Sequence, residues 1–366
     1  MAADRRHTRQ EALERALEEA GLDGLLVTSR ANIRYLTGFS GSAALVAVTR
    51  ADVLIVTDFR YAEQARAEAG TVARVEIENT SVWDRLFKEL PTLGALNELG
   101  YEAHAVSVHD ARRFADAGTA WRWRPTTEMV ERLRAAKDPE EVAAIRSAAR
   151  LAGEALGHTL PRVRFGMTEL EIAGLLEEAL RRLGSEGHPF PTIVASGPRS
   201  ALPHARSSTR VVATGDWLLV DFGAQVDGYC ADITRTVVVG ARATDRQRAL
   251  YGIVQDAQQR ARTGLRAGMS GRDADALARE PIAARGFGDA FGHSLGHGLG
   301  LEVHEAPRLS KTNADPLPGG AVVTVEPGVY VTGEGGVRIE DDVYLPAGGG
   351  DAEVLSDGLT DLVELI

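Results

Sequence analysis

Along the first third of the chain, segments with apolar residues at helical spacing alternate with short apolar runs typical of strands. Residues 8–20 place apolar side chains at helical spacing and are followed by Gly21, which predicts a helix that ends at this glycine. Short apolar runs between turn residues predict strands at 24–27, 43–48, 53–56 and 72–77. Helical spacing returns at 61–68 and 82–90. Because strands and helices alternate, we expect an α/β domain over the first ~125 residues.

Longer helical patterns dominate the rest of the chain. Asp138 is a favourable N-cap and Pro139 a favourable first residue for a long helix. Apolar spacing predicts helical tracts at 139–160, 168–184, 244–264 and 270–285. Strand pairs are predicted at 211–239 and 321–345, each after two helical tracts. We therefore expect two domains of mixed α/β (α+β) class, residues 1–127 and 128–366.

One polar segment interrupts the predicted strands of the first domain. Residues 32–42, NIRYLTGFSGS, contain glycines and two aromatic residues. We expect this segment to be a loop. It is either a surface turn or a loop that reaches towards a substrate pocket, since loops on rigid scaffolds often carry functional residues.

The first strand pair of the second domain carries two acidic residues in apolar surroundings. Asp227-Gly228 between apolar runs is a strong hairpin signal. A two-residue loop would pair Asp221 with Thr234 and leave Asp232 as a diagonal neighbour, whereas a four-residue loop would pair Asp221 with Asp232. Both registers put the two carboxylates on one face, because side chains alternate with a period of two. One aspartate is solvated, or a cation lies between the two charges.

The second strand pair repeats this arrangement. If Tyr330 pairs with Gly336, Glu326 lies opposite Glu340. Arg338 then shares the face of Glu340, two residues away. The same argument for a bound cation applies here.

A histidine-rich segment, Gly292–Glu305, lies between the two strand pairs. It contains His293, His297 and His304, and its glycines disfavour a helix. The spacing differs from the HExxH zinc motif, because no acidic residue lies between the first two histidines. A lone histidine is more often structural than a ligand, but three histidines near two acidic pairs favour a metal site.

Composition narrows the function classes. The 366 residues include 52 acidic and 41 basic side chains, a net charge of −11, which disfavours nucleic acid and anionic membranes as partners. Cys230 is the single cysteine, so an internal disulfide framework is excluded. The N-terminal residues lack the apolar core of a signal peptide, and no apolar run approaches the ~20 residues of a membrane span. We expect a soluble, cytoplasmic protein.

The candidate ligands indicate the chemistry. Four carboxylates and one imidazole form an oxygen-rich set, which favours hard divalent ions. We expect two such ions, Mn²⁺ first, with Co²⁺, Fe²⁺ or Zn²⁺ as alternatives. A two-metal site can polarise a carbonyl and acidify a water molecule, so hydrolysis of an amide is the expected reaction class.

Motifs along nearly the whole chain resemble those of a known family. VDFG, YCADITRT, GHSLGHGLGLEVHE, VTVEPGVY and GVRIEDD resemble the metal-binding motifs of the pita-bread metallopeptidases, and the chain looks like their short Xaa-Pro peptidases, prolidase and aminopeptidase P. NIRYLTGFSGS and VTDFRY resemble the creatinase/prolidase N-terminal domain. The family's metal ligands fall on Asp221, Asp232, His297, Glu326 and Glu340.

This resemblance implies roles for individual residues. Asp232 and Glu340 would bridge the two metals, and His297 would bind one of them. The other assignments are His204, in LPHARSS, near the scissile bond; His293 and His304 on the substrate; Arg338 beside Glu340; and Glu326 relaying a proton to the leaving nitrogen. The resemblance also implies a proline-containing peptide as substrate and a homodimer.

Other readings share parts of this pattern. A creatinase-like amidinohydrolase has both domains but lacks the metal ligands, and a methionine aminopeptidase lacks the N-terminal domain. A catalytically inactive family member could act as a protein-binding module, although such proteins typically lose ligands that are all present here. The sequence leaves open whether the enzyme is a dipeptidase or an aminopeptidase.

Overall fold

The computed structural model describes residues 4–116, 120–356 and 358–366. These residues form two compact units, of which the first ends at Arg134 and the second begins at Ala135. The boundary predicted between residues 127 and 128 stays a prediction, because compactness does not test which residues fold independently. The mixed α/β class predicted for the chain is confirmed.

The first unit consists of one mixed sheet with helices. The helices are α1 Arg5–Ala20, α2 Arg30–Thr37, α3 Ala62–Ala69, α4 Val82–Glu89, α5 Val108–Asp116 and α6 Met129–Arg134. The strands are β1 Gly24–Val27, β2 Ala44–Thr49, β3 Val53–Thr57, β4 Arg74–Ile77, β5 Glu98–Glu102 and β6 Arg122–Thr126. Their order in the sheet is β4-β3-β2-β1-β5-β6. Both faces of β1 and β3 are buried, as expected where helices cover a sheet on two sides.

The prediction of a loop at residues 32–42 is wrong for the first half of the segment. Residues 30–37 form α2, which buries Ile33 and Leu36 and ends at Gly38 with a left-handed φ of 79°. Ile33 and Leu36 are three residues apart, so they lie on one face of the helix. Gly38 closes the helix because it adopts the left-handed conformation without strain. The polar composition of the segment had concealed this short apolar spacing.

The second unit contains four long helices, which match the four predicted helical tracts. They are α7 Pro139–Thr159, α8 Glu169–Leu183, α9 Asp245–Gly264 and α10 Gly271–Ala284. Capping boxes fix the starts of the first three, with Asp138, Thr168 and Thr244 at the N-caps. Across the described residues, no helix combines the length and apolar character that spanning a bilayer requires.

The strands of the second unit form two sheets and two ribbons. Before the histidine-rich segment the strands are β7 Ile193–Ser196, β8 Trp217–Phe222, β9 Gln225–Val226, β10 Tyr229–Cys230 and β11 Ile233–Val239. The later strands are β12 Gly296–Gly298, β13 Glu305–Leu309, β14 Val322–Val325, β15 Gly328–Val331, β16 Gly335–Arg338, β17 Asp341–Tyr344, β18 Glu353–Val354 and β19 Glu364–Leu365. The sheets have the orders β19-β11-β8-β7 and β13-β12-β14-β17-β18, and β9–β10 and β15–β16 are ribbons.

The registers of both predicted strand pairs are now defined. Asp221 pairs with Thr234, which is the register of the two-residue loop rather than the four-residue alternative. Tyr330 pairs with Gly336, as predicted. The second strand pair is not continuous, however. It divides at Pro327 into the β15–β16 ribbon and the β14–β17 ladder, because a proline has no N–H to donate to a ladder.

Candidate active site

Four acidic residues and one histidine of the second unit lie close together. Asp221 lies within β8, Asp232 between β10 and β11, and His297 on β12, while Glu326 follows β14 and Glu340 precedes β17. His297 Nε2 is 3.7 Å from Asp232 Oδ2 and 3.5 Å from Glu326 Oε1. One potential ligand atom from each of Asp232, His297 and Glu340 lies within 4.8 Å of the others. The two predicted acidic pairs and the central histidine of the segment therefore meet at one place.

The break at Pro327 explains how the two glutamates reach this place. The Glu326 N–H donates to the carbonyl of Leu295 (2.9 Å), in the histidine-rich segment. The Glu340 N–H donates to the carbonyl of Thr234 (3.1 Å), on β11. Each glutamate therefore pairs its backbone with another segment of the site, which fixes the distances between segments.

Glycines on either side of His297 allow β12 to lie between two other strands. A Cβ atom at Gly296 would collide with the backbone of Thr324, and one at Gly298 with the backbone of Ala306. The close approach lets the Thr324 hydroxyl accept from the His297 N–H (3.1 Å) and donate to Glu326 Oε1 (3.1 Å). The prediction that this segment is not helical is confirmed.

Buried hydrogen bonds hold Asp232 and Glu340 relative to each other. The Thr234 hydroxyl donates to Glu340 Oε2 (2.5 Å), and the Asp232 N–H donates to Asp342 Oδ2 (3.2 Å). Arg235 donates through Nη1 to the Glu340 carbonyl (2.5 Å). Because these contacts join β11 and the residue before it to β17 and the residue before that strand, the spacing of the two carboxylates is a property of the sheet packing.

The carboxyl groups crowd one another electrostatically. Burial raises the pKa of Asp232 and of Glu340 well above the ordinary range, and the neighbouring acidic charges raise both further. Burial raises the pKa of Asp221 as well, against the opposing charge of Arg338. Burial raises the pKa of Glu326 to about 8, again opposed by Arg338. Without a cation, these acids retain protons that isolated carboxyls would lose.

His297 has the protonation state of a metal ligand. Its Nδ1 atom lies 3.0 Å from the carbonyl of Gly298, which can only accept, so Nδ1 carries the proton and donates. The lone pair of Nε2 then faces Asp232 and Glu326. Burial lowers the pKa of His297 to about 4, so the ring is neutral at physiological pH. A neutral imidazole whose other nitrogen donates to a carbonyl is the usual form of a metal-bound histidine.

The arrangement fits divalent cations. The donor set contains four carboxyl groups and one imidazole, and the acids would ionise fully only with a compensating positive charge. Asp221 Oδ1 and Asp342 Oδ1 are buried and have no hydrogen-bond partner within the described ranges. An unpaired buried carboxylate oxygen is costly, and a cation at Asp221 would remove that cost.

Arg338 links this acidic cluster to the residues around it. It donates to Asp221 Oδ2 (2.5 Å), to the Thr234 hydroxyl (3.0 Å), to the Tyr330 hydroxyl (2.8 Å) and to the carbonyl of Pro203 (3.3 Å). Its Nε atom is 3.9 Å from Glu340 Oε2. Only 3% of the residue is exposed. The guanidinium group of Arg338 therefore orients the Asp221 carboxylate and, through Thr234, strand β11.

His293 belongs to a chain of hydrogen bonds that includes Tyr330. His293 Nδ1 is 2.8 Å from the Ser294 carbonyl and therefore donates, so Nε2 accepts from the Tyr330 hydroxyl (2.9 Å). Burial lowers the pKa of His293 to about 4, with a further contribution from the charge of Arg338. His293 Nδ1 lies 3.8 Å from Glu326 Oε2.

The remaining two candidate histidines border the cluster. The His304 ring lies 4.4 Å from the His297 ring, edge to face. His204 is exposed on the loop after β7 and lines a concavity of about 570 Å³. Burial is the main cause of the shifted pKa values of Asp221, His293 and His304, and the charge of His204 acts on all three, lowering each pKa. The structure therefore brings all the predicted site residues into one region.

Four residues that support the site were not predicted as site residues from the sequence: Thr234, Thr324, Tyr330 and Asp342. Each makes a hydrogen bond to a predicted site residue. Asp342 had a detectable signal, because GVRIEDD places it two residues after Glu340 on the same face of a strand. The two threonines and the tyrosine had none, since such residues are common in strands.

The first unit contains a second group of metal-ligand residue types, Glu102, His104 and Glu131. Here both carboxylates already have hydrogen-bond donors, although Glu131 Oε2 is buried and has no hydrogen-bond partner among the described residues. The side-chain amide of Asn32 donates to Glu102 Oε1 (2.6 Å) and to Glu131 Oε1 (2.5 Å), and His104 Nε2 lies 3.0 Å from Glu131. The Asn32 amide therefore bridges the two carboxylates as a neutral donor.

Comparisons with known proteins agree with this geometry. A model of metallopeptidase family M24 matches residues 143–347, and a model of the Creatinase/Prolidase N-terminal domain matches residues 9–136. An uncharacterized peptidase of Bacillus subtilis, YqhT, is 41% identical over 93% of this chain and 95% of its own length.

Two solved structures are similar over almost the whole chain. The Xaa-Pro dipeptidase from Bacillus anthracis has a TM-score of 0.94 and 40% identity, and covers 98% of this chain and 100% of its own. The X-Pro aminopeptidase from Thermotoga maritima has a TM-score of 0.89 and 39% identity, and covers 97% and 99%. The resemblance noted in the sequence is confirmed, including the pita-bread fold of the second domain. The chain belongs to metallopeptidase family M24 and carries a creatinase/prolidase N-terminal domain before the catalytic one.

Proposed function

We propose that this protein is a dinuclear metallopeptidase that hydrolyses the peptide bond before proline and releases the residue that precedes it. The observation that carries the proposal is the convergence of three carboxyl groups, those of Asp232, Glu326 and Glu340, around His297. Arg338 joins the fourth carboxyl group, that of Asp221, to the same cluster. Relatives named for the same bond, one a dipeptidase and one an aminopeptidase, support the substrate class.

The proposed metal ligands are Asp221, Asp232, His297, Glu326 and Glu340. Asp232 and Glu340 would contact both ions, as the family resemblance implies, and neighbouring acidic charges crowd both carboxyl groups. Mn²⁺ suits the oxygen-rich donors, with Co²⁺, Fe²⁺ and Zn²⁺ as alternatives. Two bound ions would supply Lewis-acid polarisation of a carbonyl and a water of lowered pKa.

The chain's own residues then handle the peptide. We assign His204, His293 and His304 to the substrate side of the cluster. Arg338 orients Asp221 and the strand that leads to Glu340. A histidine ring has at least one N–H group, so each of these side chains can donate a hydrogen bond to a carbonyl or carboxylate oxygen of the substrate.

Glu326 is proposed to move the proton that proline requires. A prolyl nitrogen within a peptide bond has no N–H, so it must gain a proton before it leaves. In metal-free protein, burial raises the pKa of Glu326 to about 8, so the carboxyl is largely protonated at neutral pH. With metal bound, the proposed relay rests on the position of this carboxyl between the metal ligands and the substrate side. Glu326 Oε2 lies 3.8 Å from His293 Nδ1, so the carboxyl faces a substrate-side residue.

Proline selectivity is the direct test of the proposed function. We expect Mn²⁺-dependent release of proline from an Xaa-Pro dipeptide, and release about tenfold or more slower from the matched Xaa-Ala dipeptide. The measurement is kcat/KM by amino-acid detection, with chelator-treated protein as control. Equal rates on both dipeptides would contradict the substrate class, and no hydrolysis of either would contradict the enzyme. The series Xaa-Pro, Xaa-Pro-Yaa and longer peptides then separates a dipeptidase from an aminopeptidase.

Metal should stabilise the protein more at higher pH. In metal-free protein, the raised pKa values of the acids make the folded state hold protons that the unfolded chain releases, so stability falls as pH rises. His297 and His293 act in the opposite direction, but only between their folded pKa of about 4 and the ordinary value of 6.5. From pH 6.5 to about 8 only the acids contribute.

Each acid that keeps its proton in the folded state and loses it in the unfolded state should lower the stability of metal-free protein by about 2 kcal/mol between pH 6.5 and 8. Melting temperatures measured with chelator should fall by a few degrees between pH 6.5 and 8, and added Mn²⁺ should restore more at pH 8 than at pH 6.5. A metal-free melting temperature that rises across the window would contradict the electrostatic picture.

We further propose a cytoplasmic homodimer, on the strength of the family resemblance. Size-exclusion chromatography with light scattering at several protein concentrations tests the assembly. A mass near that of one 39.1 kDa chain at all concentrations would contradict it.

A further inference from the structure

A buried glutamate outside the metal cluster holds the loop that carries His204. Glu169 is the first residue of α8 and is 0% exposed. Its carboxylate accepts from the N–H and hydroxyl of Ser196 (2.8 and 2.9 Å) and from the N–H and hydroxyl of Ser208 (3.0 and 2.6 Å). Ser196 and Ser208 lie at the two ends of the loop, so one side chain ties both ends together.

Arg199 closes the same loop from the inside. Its Nε atom donates to both oxygens of Glu169 (3.2 and 3.1 Å), and its Nη2 donates to the Arg206 carbonyl (2.5 Å). The last contact crosses the loop and leaves residues 200–205 between its two anchors. His204 is within that span.

A third anchor joins the tip of the loop to the metal cluster. The Pro203 carbonyl, next to His204, accepts from Arg338 Nη1 (3.3 Å), and Arg338 Nη2 donates to Asp221 (2.5 Å). The loop is therefore fixed at its base by Glu169 and at its tip by a residue that orients a proposed metal ligand. The side chain of His204 is exposed, and further hydrogen bonds hold the backbone of the same loop. The Ser207 hydroxyl donates to the Thr192 carbonyl (3.0 Å), and the Ser200 hydroxyl accepts from the Gly336 N–H (2.8 Å).

Stability alone does not account for the buried Glu169 carboxylate and its ion pair with the partly exposed Arg199. Replacement of a buried ion pair by apolar residues is often neutral or stabilising, because burying charge is costly. A carboxylate that receives six hydrogen bonds from a single loop instead selects one conformation of that loop. Gly197, Ser200 and Ala205 of the loop are buried, so Glu169 selects that conformation together with local packing.

We propose that Glu169 is a positioning residue of the active site, which fixes residues 197–208 so that His204 faces the metal cluster. This proposal rests on the proposed function, since it gives His204 a substrate to meet. Glu169 makes no contact with the cluster among the described residues and acts only through the loop.

Glu169→Gln is the primary test. Glutamine offers one acceptor oxygen in place of two and no charge for Arg199. The variant therefore loses contacts that hold the two ends of the loop together. We expect kcat/KM on an Xaa-Pro substrate to fall about 10- to 100-fold, mainly through kcat, because small misplacements of a catalytic group are that costly. Bound metal per chain should stay unchanged. The matched control is Glu171→Gln, the same change at an exposed site two residues further along α8. Glutamine at this position still completes the capping box.

A double-mutant cycle with His204 separates positioning from folding. In the His204→Ala background, Glu169→Gln should change kcat/KM by less than about twofold, because the group it positions is gone. If the two losses multiply, or if Glu169→Gln lowers only the melting temperature, the positioning role is overturned. Ser208→Ala, which removes one of the six hydrogen bonds, should give a smaller loss in the same parameter and serves if Glu169→Gln does not fold.

A readout independent of activity keeps the two proposals distinguishable. In protein with ¹³C-labelled histidine, the His204 ring resonance, assigned from its absence in His204→Ala, should shift or broaden in Glu169→Gln and not in Glu171→Gln. An unchanged resonance would overturn the positioning role. A shifted resonance in a protein without peptidase activity would preserve it and remove the proposed function.

Discussion

Replacement of Asp232 by asparagine should abolish hydrolysis of Xaa-Pro substrates, with a loss in kcat of about a thousandfold or more. Asp232 Oδ2 lies 3.7 Å from His297 Nε2, and Asp232 forms one group with His297 and Glu340. An amide oxygen carries no charge, so it cannot balance a divalent cation shared with Glu340. The measurements are kcat with saturating Mn²⁺ and the metal content of the purified protein, which should fall below that of the wild type.

The control for this variant lies in the same hairpin. Asp227 is exposed at the turn with a φ of 49°, a conformation that asparagine also adopts readily, so Asp227→Asn should retain wild-type kcat. In metal-free protein at pH 8, Asp232→Asn should melt above the wild type, because it removes a buried acid whose pKa is raised by burial and by neighbouring acids. A fully active Asp232→Asn variant would refute the bridging assignment.

The strand registers show how far sequence reasoning reaches. Alternation of side chains placed Asp221 and Asp232 on one face whichever loop length was correct, so the acidic pair could be predicted without the register. The register itself depends on contacts that a pattern does not contain. Gln225 donates through its side chain to the Gly228 carbonyl (3.1 Å) within the turn, and this contact stabilises the two-residue loop.

The break at Pro327 was readable in principle but not predicted. Proline lacks a ladder donor, so a continuous strand pair through this residue was already improbable on physical grounds. What no local pattern reveals is where the backbone goes instead. Glu326 pairs with Leu295 and Glu340 with Thr234, and both contacts join segments far apart in sequence. The convergence of the site follows from these long-range hydrogen bonds.

The helix α2 shows the opposite error. Its apolar spacing is local and was present in the sequence, but it covers only eight residues, too few for a periodic pattern to outweigh a polar composition. Tyr330 illustrates a third case. The sequence gives its place in a strand, whereas its role between His293 and Arg338 exists only after the two sheets pack.

Replacement of Glu326 by glutamine should reduce kcat by about a thousandfold, because it removes both a ligand and a proton carrier. The carboxyl accepts from Thr324 (3.1 Å) and lies 3.5 Å from His297 Nε2, so glutamine would fit the same space with one contact retained. The control is Glu334→Gln, an exposed glutamate in the turn of the same strand pair that pairs with Arg246 and should retain wild-type kcat.

The two roles of Glu326 can be separated by changing the leaving group. Fluorine atoms on the proline ring make its nitrogen less basic, so an Xaa-(4,4-difluoroproline) dipeptide needs less help from a proton donor. If Glu326 carries the proton to the nitrogen, Glu326→Gln should slow the proline substrate at least about tenfold more than the fluorinated one, as expected when general acid catalysis is lost. If Glu326 serves only as a ligand, both substrates lose the same factor. Equal losses would therefore contradict the proton relay through Glu326 and leave the assignment of Glu326 as a metal ligand intact. The candidates for protonating the prolyl nitrogen would then be His204, His293 and His304.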